Sequence, residues 1–316
     1  MHADELQTDV SLVRRLLAGQ FPEWAELPIE RVASSGTDNA LYRLGNELVV
    51  RLPRIDWATG QVEKDSTWLP RLAPLLPFAI PELLARGVPA EGYPWTWGVY
   101  KWLPGETPDV DAIADPEALA RDVGRFVVAV RSLQLEGGPA GSRAMPLATR
   151  DEATRAAIGE LEGLLDTEAV AALWEEGLLV PEWTGPPQWT HGDLLRGNLL
   201  LADGRLTAVI DWSLLGVGDP ACDLIVAWSV LPGEVRGVFA RWSTSTTRPG
   251  CGAVGGRFRS RSSNSRTTRR QTWNSRPMRA TSSARYSLTR TYVRSILGPL
   301  QTSCKQQRTL LSSPST

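Results

Sequence analysis

Thr190-His191-Gly192-Asp193-Leu194-Leu195-Arg196-Gly197-Asn198 is followed by Ile210-Asp211-Trp212, with Asp211 thirteen positions after Asn198. The intervening run, Leu199-Leu-Leu-Ala-Asp203-Gly204-Arg-Leu-Thr-Ala-Val-Ile210, predicts two short strands around an Asp203-Gly204 turn. A carboxylate and an amide therefore share one loop, and a second carboxylate stands at the far end of the returning hairpin. A base candidate, Asp193, beside two hard-oxygen donors, Asn198 and Asp211, meets the needs of phosphoryl transfer over a divalent cation. The plainer alternative is a polar loop ahead of an ordinary buried hairpin.

His191-Gly-Asp193-x-x-x-x-Asn198, then Ile-Asp211-Trp, then Gly218-Asp219-Pro220-Ala-Cys222-Asp223-Leu resemble the aminoglycoside phosphotransferases and their kinase-like relatives. The resemblance spans about residues 28–240. It implies an α+β, bilobal protein-kinase-like fold with an antiparallel-sheet N-lobe and a mainly helical C-lobe. It also implies that Asp193 is the catalytic base, that Asn198 and Asp211 bind Mg²⁺, and that ATP or GTP is the phosphoryl donor. His191 would brace the catalytic loop, and Asp219 and Asp223 would hold the C-lobe together. The implied partner is a small-molecule hydroxyl acceptor: an aminoglycoside first, a macrolide next, with a metabolite alcohol such as choline, homoserine or a sugar open.

Upstream, Leu12, Val13, Leu16 and Leu17 predict a leading helix over 4–19. Ile29 to Ala33 reads as a strand, and Ala40–Leu44 and Leu48–Leu52 as a hairpin about Gly45-Asn46. The loop Ser34-Ser35-Gly36-Thr37-Asp38-Asn39 between them is small and polar enough to lay N–H groups and hydroxyls over phosphates. Ser34, Ser35, Gly36, Thr37 and Asn39 are the candidates there, although such clusters are commonly plain turns. Arg51 occupies the strand position where kinases carry a phosphate-binding lysine, within an Arg51-Leu-Pro-Arg54 run similar to macrolide phosphotransferases. A helix over about 60–75, ended by Pro74 and Pro77, should offer that cation an acid. Family spacing selects Asp65, with Glu63 as the other candidate. Val99, Tyr100 and Lys101 lie in an apolar strand running into Leu103-Pro-Gly105, which resembles the interlobe hinge whose backbone reads the nucleobase. Trp95, Trp97 and Trp102 read as core rather than as a base-stacking surface.

Asp115-Pro116 opens a helix to about Gln134, and 151–177 gives one or two helices divided near Asp166-Thr167. Glu160, Glu162, Glu175 and Glu176 read as a solvated face. The implied units are 1–103, a nucleotide-binding N-lobe; 104–240, a helical C-lobe with the catalytic loop; and a tail over 241–316.

No 18-residue apolar run and no signal-like N-terminus occur, so no membrane span is expected. Three cysteines without a CxxC pairing point to a reducing, cytoplasmic setting. With only His2 and His191 in the chain, a His-based zinc site or a serine triad is excluded in practice. The net charge of −1 conceals an asymmetry. All 35 acids lie in 1–240 with 19 of the 34 bases, a balance of −16, whereas 241–316 holds 15 bases and no acid.

Ser and Thr make up 27 of those last 76 residues. Such a tail is ordinarily disordered and a possible nucleic-acid binder, a partnership not expected here. A more economical reading is a change of reading frame near 240–243. Codons chosen to spell 278–289, read at a single-base offset, give an acid-containing amphipathic helix. Stop codons in that alternative frame would end the idea. On this reading Leu224, Ile225, Val226, Trp228 and Val230 are expected to lose cover from missing C-terminal helices, at roughly 1.5–3 kcal/mol each. An inactive, nucleotide-binding pseudokinase is the rival from another class.

Overall fold

The computed structural model describes residues 6–33, 38–164 and 166–243. Helix α1 (Val10–Gln20) starts at Asp9, whose carboxylate accepts from the Leu12 N–H at 2.8 Å. Strands β1 (Ile29–Arg31), β2 (Asn39–Leu44), β3 (Leu48–Pro53), β4 (Leu83–Gly87) and β5 (Trp97–Lys101) form an antiparallel sheet in the order β1-β2-β3-β5-β4. Period-two alternation buries Ala40, Tyr42 and Leu44 of β2 and Val50 and Leu52 of β3 against Val13, Leu16 and Leu17 of α1. Arg51 is out of phase with Val50 and Leu52, so it emerges on the opposite face.

That face receives α2 (Gln61–Leu72), which carries Pro70 inside its last turn and passes into a 3₁₀ turn over Ala73–Leu75. The α-helix thus ends before Pro74, and Pro70 forgoes a single i→i−4 bond. Trp68, Leu69 and Leu72 of α2 belong to the larger, C-terminal core, where Trp68 meets Trp189 at 4.8 Å between ring centres. Core membership therefore crosses the chain position, near 103, where the sheet ends.

Helix α3 (Pro116–Arg131) is the axis of that core. Asp115 caps it, and Leu119, Val123, Phe126, Val127 and Val130 are buried along it. Helices α4 (Asp151–Glu160) and α5 (Thr167–Leu178) follow; Asp166 caps α5 through the Ala169 N–H. Glu160, Glu162, Glu175 and Glu176 are exposed. Strand β6 (Gln188–Thr190), the hairpin β7 (Leu199–Ala202) and β8 (Arg205–Val209), and β9 (Gly216–Gly218) lead into the 3₁₀ turn Pro220–Ile225, α6 (Val226–Ser229) and α7 (Arg236–Ser243). Asp203 and Gly204 take φ of 50° and 73°, the left-handed pair that a two-residue hairpin turn demands.

Helix α7 lies along α3 so closely that a Cβ on Gly124 would stand 2.6 Å from the Trp242 Cβ. This corrects the expectation that 224–230 lacks cover. Val226 and Val230 are buried, and Leu224, Ile225 and Trp228 pack on the same core. Trp97 is fully buried, Trp95 packs on the N-terminal core, and Trp102 carries the Arg43 guanidinium 3.9 Å above its ring. Of the tail set at 241–316, residues 241–243 close α7, while 244–316, and with them the reading-frame argument, lie outside the described residues. No helix among the described residues is long and apolar enough to cross a membrane.

Candidate active site

Pairing of β6 with β9 (Gln188↔Gly218, Thr190↔Gly216) closes the chain between 190 and 216 into one loop. The β7–β8 hairpin fills that loop, so Asp193 and Asp211, 18 positions apart, return to one place. Asn198 joins them. Its Nδ2 donates to the Asp193 carbonyl at 2.8 Å and to Asp193 Oδ2 at 3.0 Å. Both bonds use the amide nitrogen, which leaves Asn198 Oδ1 as the atom for a cation. Asp211 follows Ile210, whose N–H donates to the Asn198 carbonyl at 2.9 Å. Asp211 has φ 58°, a left-handed conformation that Asp tolerates better than most residues and that turns its carboxylate out of the strand.

The loop is braced from below. Asp223, fully buried, accepts from the His191 and Gly192 N–H groups, each at 2.8 Å, one per carboxylate oxygen. Asp219 caps the 3₁₀ turn that carries Asp223, accepting from the Ala221 N–H. His191 is also fully buried and links the loop to the strand end just before Asp211. Its Nδ1 accepts from the Asp193 N–H at 3.2 Å, and its Nε2 lies 3.1 Å from the Ile210 carbonyl. These partners assign the ring proton to Nε2 of a neutral imidazole. The ring packs edge-on to Trp212 and Phe126.

Burial lowers the His191 pKa from 6.5 to about 4 and raises that of Asp223 from 3.8 to about 6. The two shifts act oppositely on stability. Folded His191 refuses a proton that the unfolded chain accepts, so its contribution is complete above pH 6.5 and is lost as pH falls through 4. Folded Asp223 keeps a proton that the unfolded chain has released, so its contribution is complete below pH 3.8 and is lost as pH rises through 6. Each swing is roughly 3 kcal/mol, so in the intact protein the pair nearly cancels. His191→Gln is expected to uncover the Asp223 limb: urea-unfolding free energy should fall by about 3 kcal/mol from pH 4 to pH 6.5, relative to the parent. An unchanged difference across that range would contradict the assignment.

Arg51 reaches across from the sheet. Its Nη1 is 3.3 Å from Asp65 Oδ2 and its Nη2 3.4 Å from Asp211 Oδ1. Burial works against its charge, but the Asp211 and Asp65 carboxylates outweigh burial and raise its pKa. Asp65, rather than Glu63, is its α2 partner; Glu63 pairs with Arg86 at 3.0 Å. Burial raises the Asp65 pKa against the opposing pull of Arg51, the Tyr100 hydroxyl (2.8 Å) and Gln61 Nε2 (2.6 Å). Lys64, next along α2, donates to the Ser213 carbonyl at 2.9 Å and ties the helix to the segment after Asp211.

Ser34, Ser35, Gly36 and Thr37 lie outside the described residues. Asn39 opens β2, and its Oδ1 is buried without a hydrogen-bond partner among the described residues. Val99, Tyr100 and Lys101 sit in the interior strand of the sheet, paired to β3 on one side and β4 on the other. The Lys101 N–H donates to the Glu82 carbonyl and the Trp102 N–H to the Glu47 carbonyl, so these backbone donors are already engaged. Backbone beyond the sheet begins at Leu103, and at Glu106 the chain is bonded to Leu201 in both directions. Tyr100 contributes through its hydroxyl on Asp65 instead.

One neighbour of Asp193 had no sequence signal of its own. Arg143 Nη1 lies 3.2 Å from Asp193 Oδ1. Burial raises the Asp193 pKa, and Arg143 is the strongest influence against that rise. The only hint in the sequence is that Arg143 is the sole charged residue between Glu136 and Arg150.

No curated protein sequence matches the chain. Among solved structures, the GDP complex of wild-type aminoglycoside 2′-phosphotransferase-IIIa has a TM-score of 0.64 at 18% identity, covering 76% of this chain and 84% of that one. An ADP-bound aminoglycoside phosphotransferase gives 0.56 at 18% identity, over 76% and 83%. The apoenzyme of a macrolide 2′-phosphotransferase from Brachybacterium faecium gives 0.55 at 24% identity, over 74% and 82%. These likenesses establish the kinase-like α+β fold. The profile of the phosphotransferase enzyme family matches residues 30–252, and the chain belongs to that family, an enzyme of the small-molecule kinase type.

Proposed function

We propose that this chain moves the γ-phosphoryl group of ATP or GTP to a hydroxyl of a small-molecule antibiotic of the aminoglycoside or macrolide type. The observation that carries the reading is the convergence of Asp193, Asn198 and Asp211, with Arg51 3.4 Å from Asp211. Residues 1–103 would form the nucleotide-binding lobe and 104–240 the catalytic one. Ser34, Ser35, Gly36, Thr37 and Asn39 would cover the phosphates, and backbone beyond Lys101 would meet the base.

Asp193 accepts a hydrogen bond from the acceptor hydroxyl, aims its lone pair at the γ-phosphorus, and takes the proton as the new O–P bond forms. The bond between γ-phosphorus and its bridging oxygen breaks, and the nucleoside diphosphate leaves with that electron pair. Asn198 keeps Asp193 oriented. The donor set suits Mg²⁺, because a free amide oxygen and a part-exposed carboxylate are hard ligands and Mg²⁺ commonly takes only one or two from protein. Asn198 Oδ1 and the Asp211 carboxylate would hold Mg²⁺, and its chemistry there would be to neutralise charge on the phosphates. Arg51 supplies a fixed positive charge from the sheet, held in place by Asp65.

The macrolide reading is favoured by Arg51, which stands in an Arg51-Leu-Pro-Arg54 run similar to macrolide phosphotransferases. Transfer of labelled γ-phosphate from ATP or GTP, screened over aminoglycosides, macrolides and simple alcohols, tests the proposal. Label should appear on one acceptor class only when Mg²⁺ is present. Nucleotide binding with no acceptor labelled would leave the pseudokinase as the better account.

A further inference from the structure

Two polar ties join α2 to the proposed cation site, and they differ in the atoms they use. Arg51 bridges Asp65 and Asp211, at 3.3 Å and 3.4 Å. That tie runs through a carboxylate that a cation would claim. Lys64, the residue before Asp65, makes the other: its Nζ donates to the Ser213 carbonyl at 2.9 Å. This bond occupies no atom assigned to the cation, the nucleotide or the acceptor.

The helix itself gives Lys64 little reason to stand there. It is the fourth residue of α2, near the end of the helix dipole that favours acids over cations. Successive helical residues point about 100° apart, so Asp65 can face the sheet while Lys64 faces the turn after Asp211. Further along, Trp68, Leu69 and Leu72 anchor α2 in the larger core, but residues 61–64 contribute no side chain to it. The start of the helix therefore depends on its polar contacts.

The turn that receives the bond is held on its other sides. The Leu215 N–H donates to the Trp212 carbonyl at 3.1 Å, and the buried Trp212 indole donates to the Val209 carbonyl at 3.0 Å. Gly192 of the catalytic loop, at φ 82°, comes so near that a Cβ there would stand 2.6 Å from the Leu214 carbonyl oxygen. The turn thus touches the segments that carry Asp211 and Asp193, and α2 grips it at Ser213.

We propose that Lys64 is a positioning residue for the triphosphate site: its grip on Ser213 holds α2, and with it Asp65 and Arg51, at a set distance from Asp211. The proposal rests on the reading of Arg51 as a phosphate ligand and Asp211 as a cation ligand. With those two groups so engaged, they no longer serve each other, and the Lys64–Ser213 bond is the tie that remains. A charged donor on a carbonyl is worth about tenfold or more in an equilibrium. Its loss leaves the start of α2 free to carry Arg51 off the phosphates.

The test compares the full chain with Lys64→Met, which loses the charge and the donors, and Lys64→Arg, which can still donate. Asp65→Asn and the Lys64→Met/Asp65→Asn double variant complete the set. Calorimetric Kd for a non-hydrolysable ATP analogue with Mg²⁺ is read for each, kcat and both KM values wherever transfer occurs, and hydrogen exchange on the ligand-free proteins. Lys64→Met should weaken nucleotide binding about tenfold with acceptor KM unchanged, and Lys64→Arg should restore most of the loss. Exchange should quicken about tenfold in the peptide spanning 211–216 and keep the parental rate in α3. Added to Asp65→Asn, Lys64→Met should cost less than about twofold more, because Arg51 is already released from α2. Full additivity would overturn the proposal and place the ammonium on the triphosphate itself. An unchanged nucleotide Kd in Lys64→Met would overturn it too, as would equal quickening throughout α3, the mark of general destabilisation. Failure of the parent to transfer phosphate would count against the phosphotransfer reading, while Kd and exchange would still decide the role of Lys64.

Discussion

Asp193→Ala is expected to lower kcat about a thousandfold while leaving nucleotide affinity within a few-fold of the parent. The asymmetry follows from the geometry. On the proposed reading Asp193 would face the acceptor and make no direct claim on the phosphates, which would belong to Arg51 and the cation ligands. Substitution removes the bond from Asn198 Nδ2 to Oδ2, but the 2.8 Å bond from the same nitrogen to the Asp193 backbone carbonyl survives, so Asn198 keeps its orientation. Steady-state kinetics and nucleotide titration on the same preparation separate the two effects. A comparable loss of nucleotide binding would mean that Asp193 holds the cation instead of activating the hydroxyl.

The second large effect is structural. Asp223→Ala should destabilise the protein by about 3–5 kcal/mol near neutral pH, because breaking a buried charged network leaves its other members unpaired. Two backbone N–H groups, of His191 and Gly192, lose their acceptor in a fully buried position. Arg131, whose pKa burial lowers and the nearby Asp223 charge helps to sustain, loses that counter-charge. Such a loss is a large share of the ~5–15 kcal/mol available to an ordinary domain. Asp223→Asn retains one acceptor oxygen and should fall between. Urea unfolding followed by tryptophan fluorescence reads both, and a loss below about 1 kcal/mol for the alanine variant would show that the loop holds itself without this brace.

What could be read from the sequence was what the chain encodes over short distances. The five-residue step from Asp193 to Asn198, the Asp203-Gly204 turn and the Asp115-Pro116 helix start are local patterns, and each appears where its pattern put it. Asp65 was reachable through the resemblance, whose spacing sets an acid ahead of leucines four and seven positions on, here Leu69 and Leu72, and the acid does meet Arg51. Arg143 was not reachable: its place depends on Gly141, Gly216 and Gly218 letting two distant segments touch, and no local pattern carries that information. That β5 is interior was not legible for a similar reason: an apolar strand ending in Pro-Gly looks the same whether its last residues pair on one edge or two. Pro70 hid inside α2 because the final turn of a helix tolerates the missing bond, so the later prolines looked like the stop. Cover for Val226 and Val230 was underestimated because α7 is short and runs across the change in composition at 241.

The account stands on three side chains acting on one cation and one triphosphate. A crystal structure with Mg²⁺ and a non-hydrolysable ATP analogue measures this directly. The prediction is a cation at about 2.1 Å from both Asn198 Oδ1 and an Asp211 carboxylate oxygen, with Arg51 on the phosphates and Asp193 beside the γ-phosphate rather than on the cation. A cation bound without Asn198 or Asp211, or a triphosphate lying away from Arg51, would contradict it.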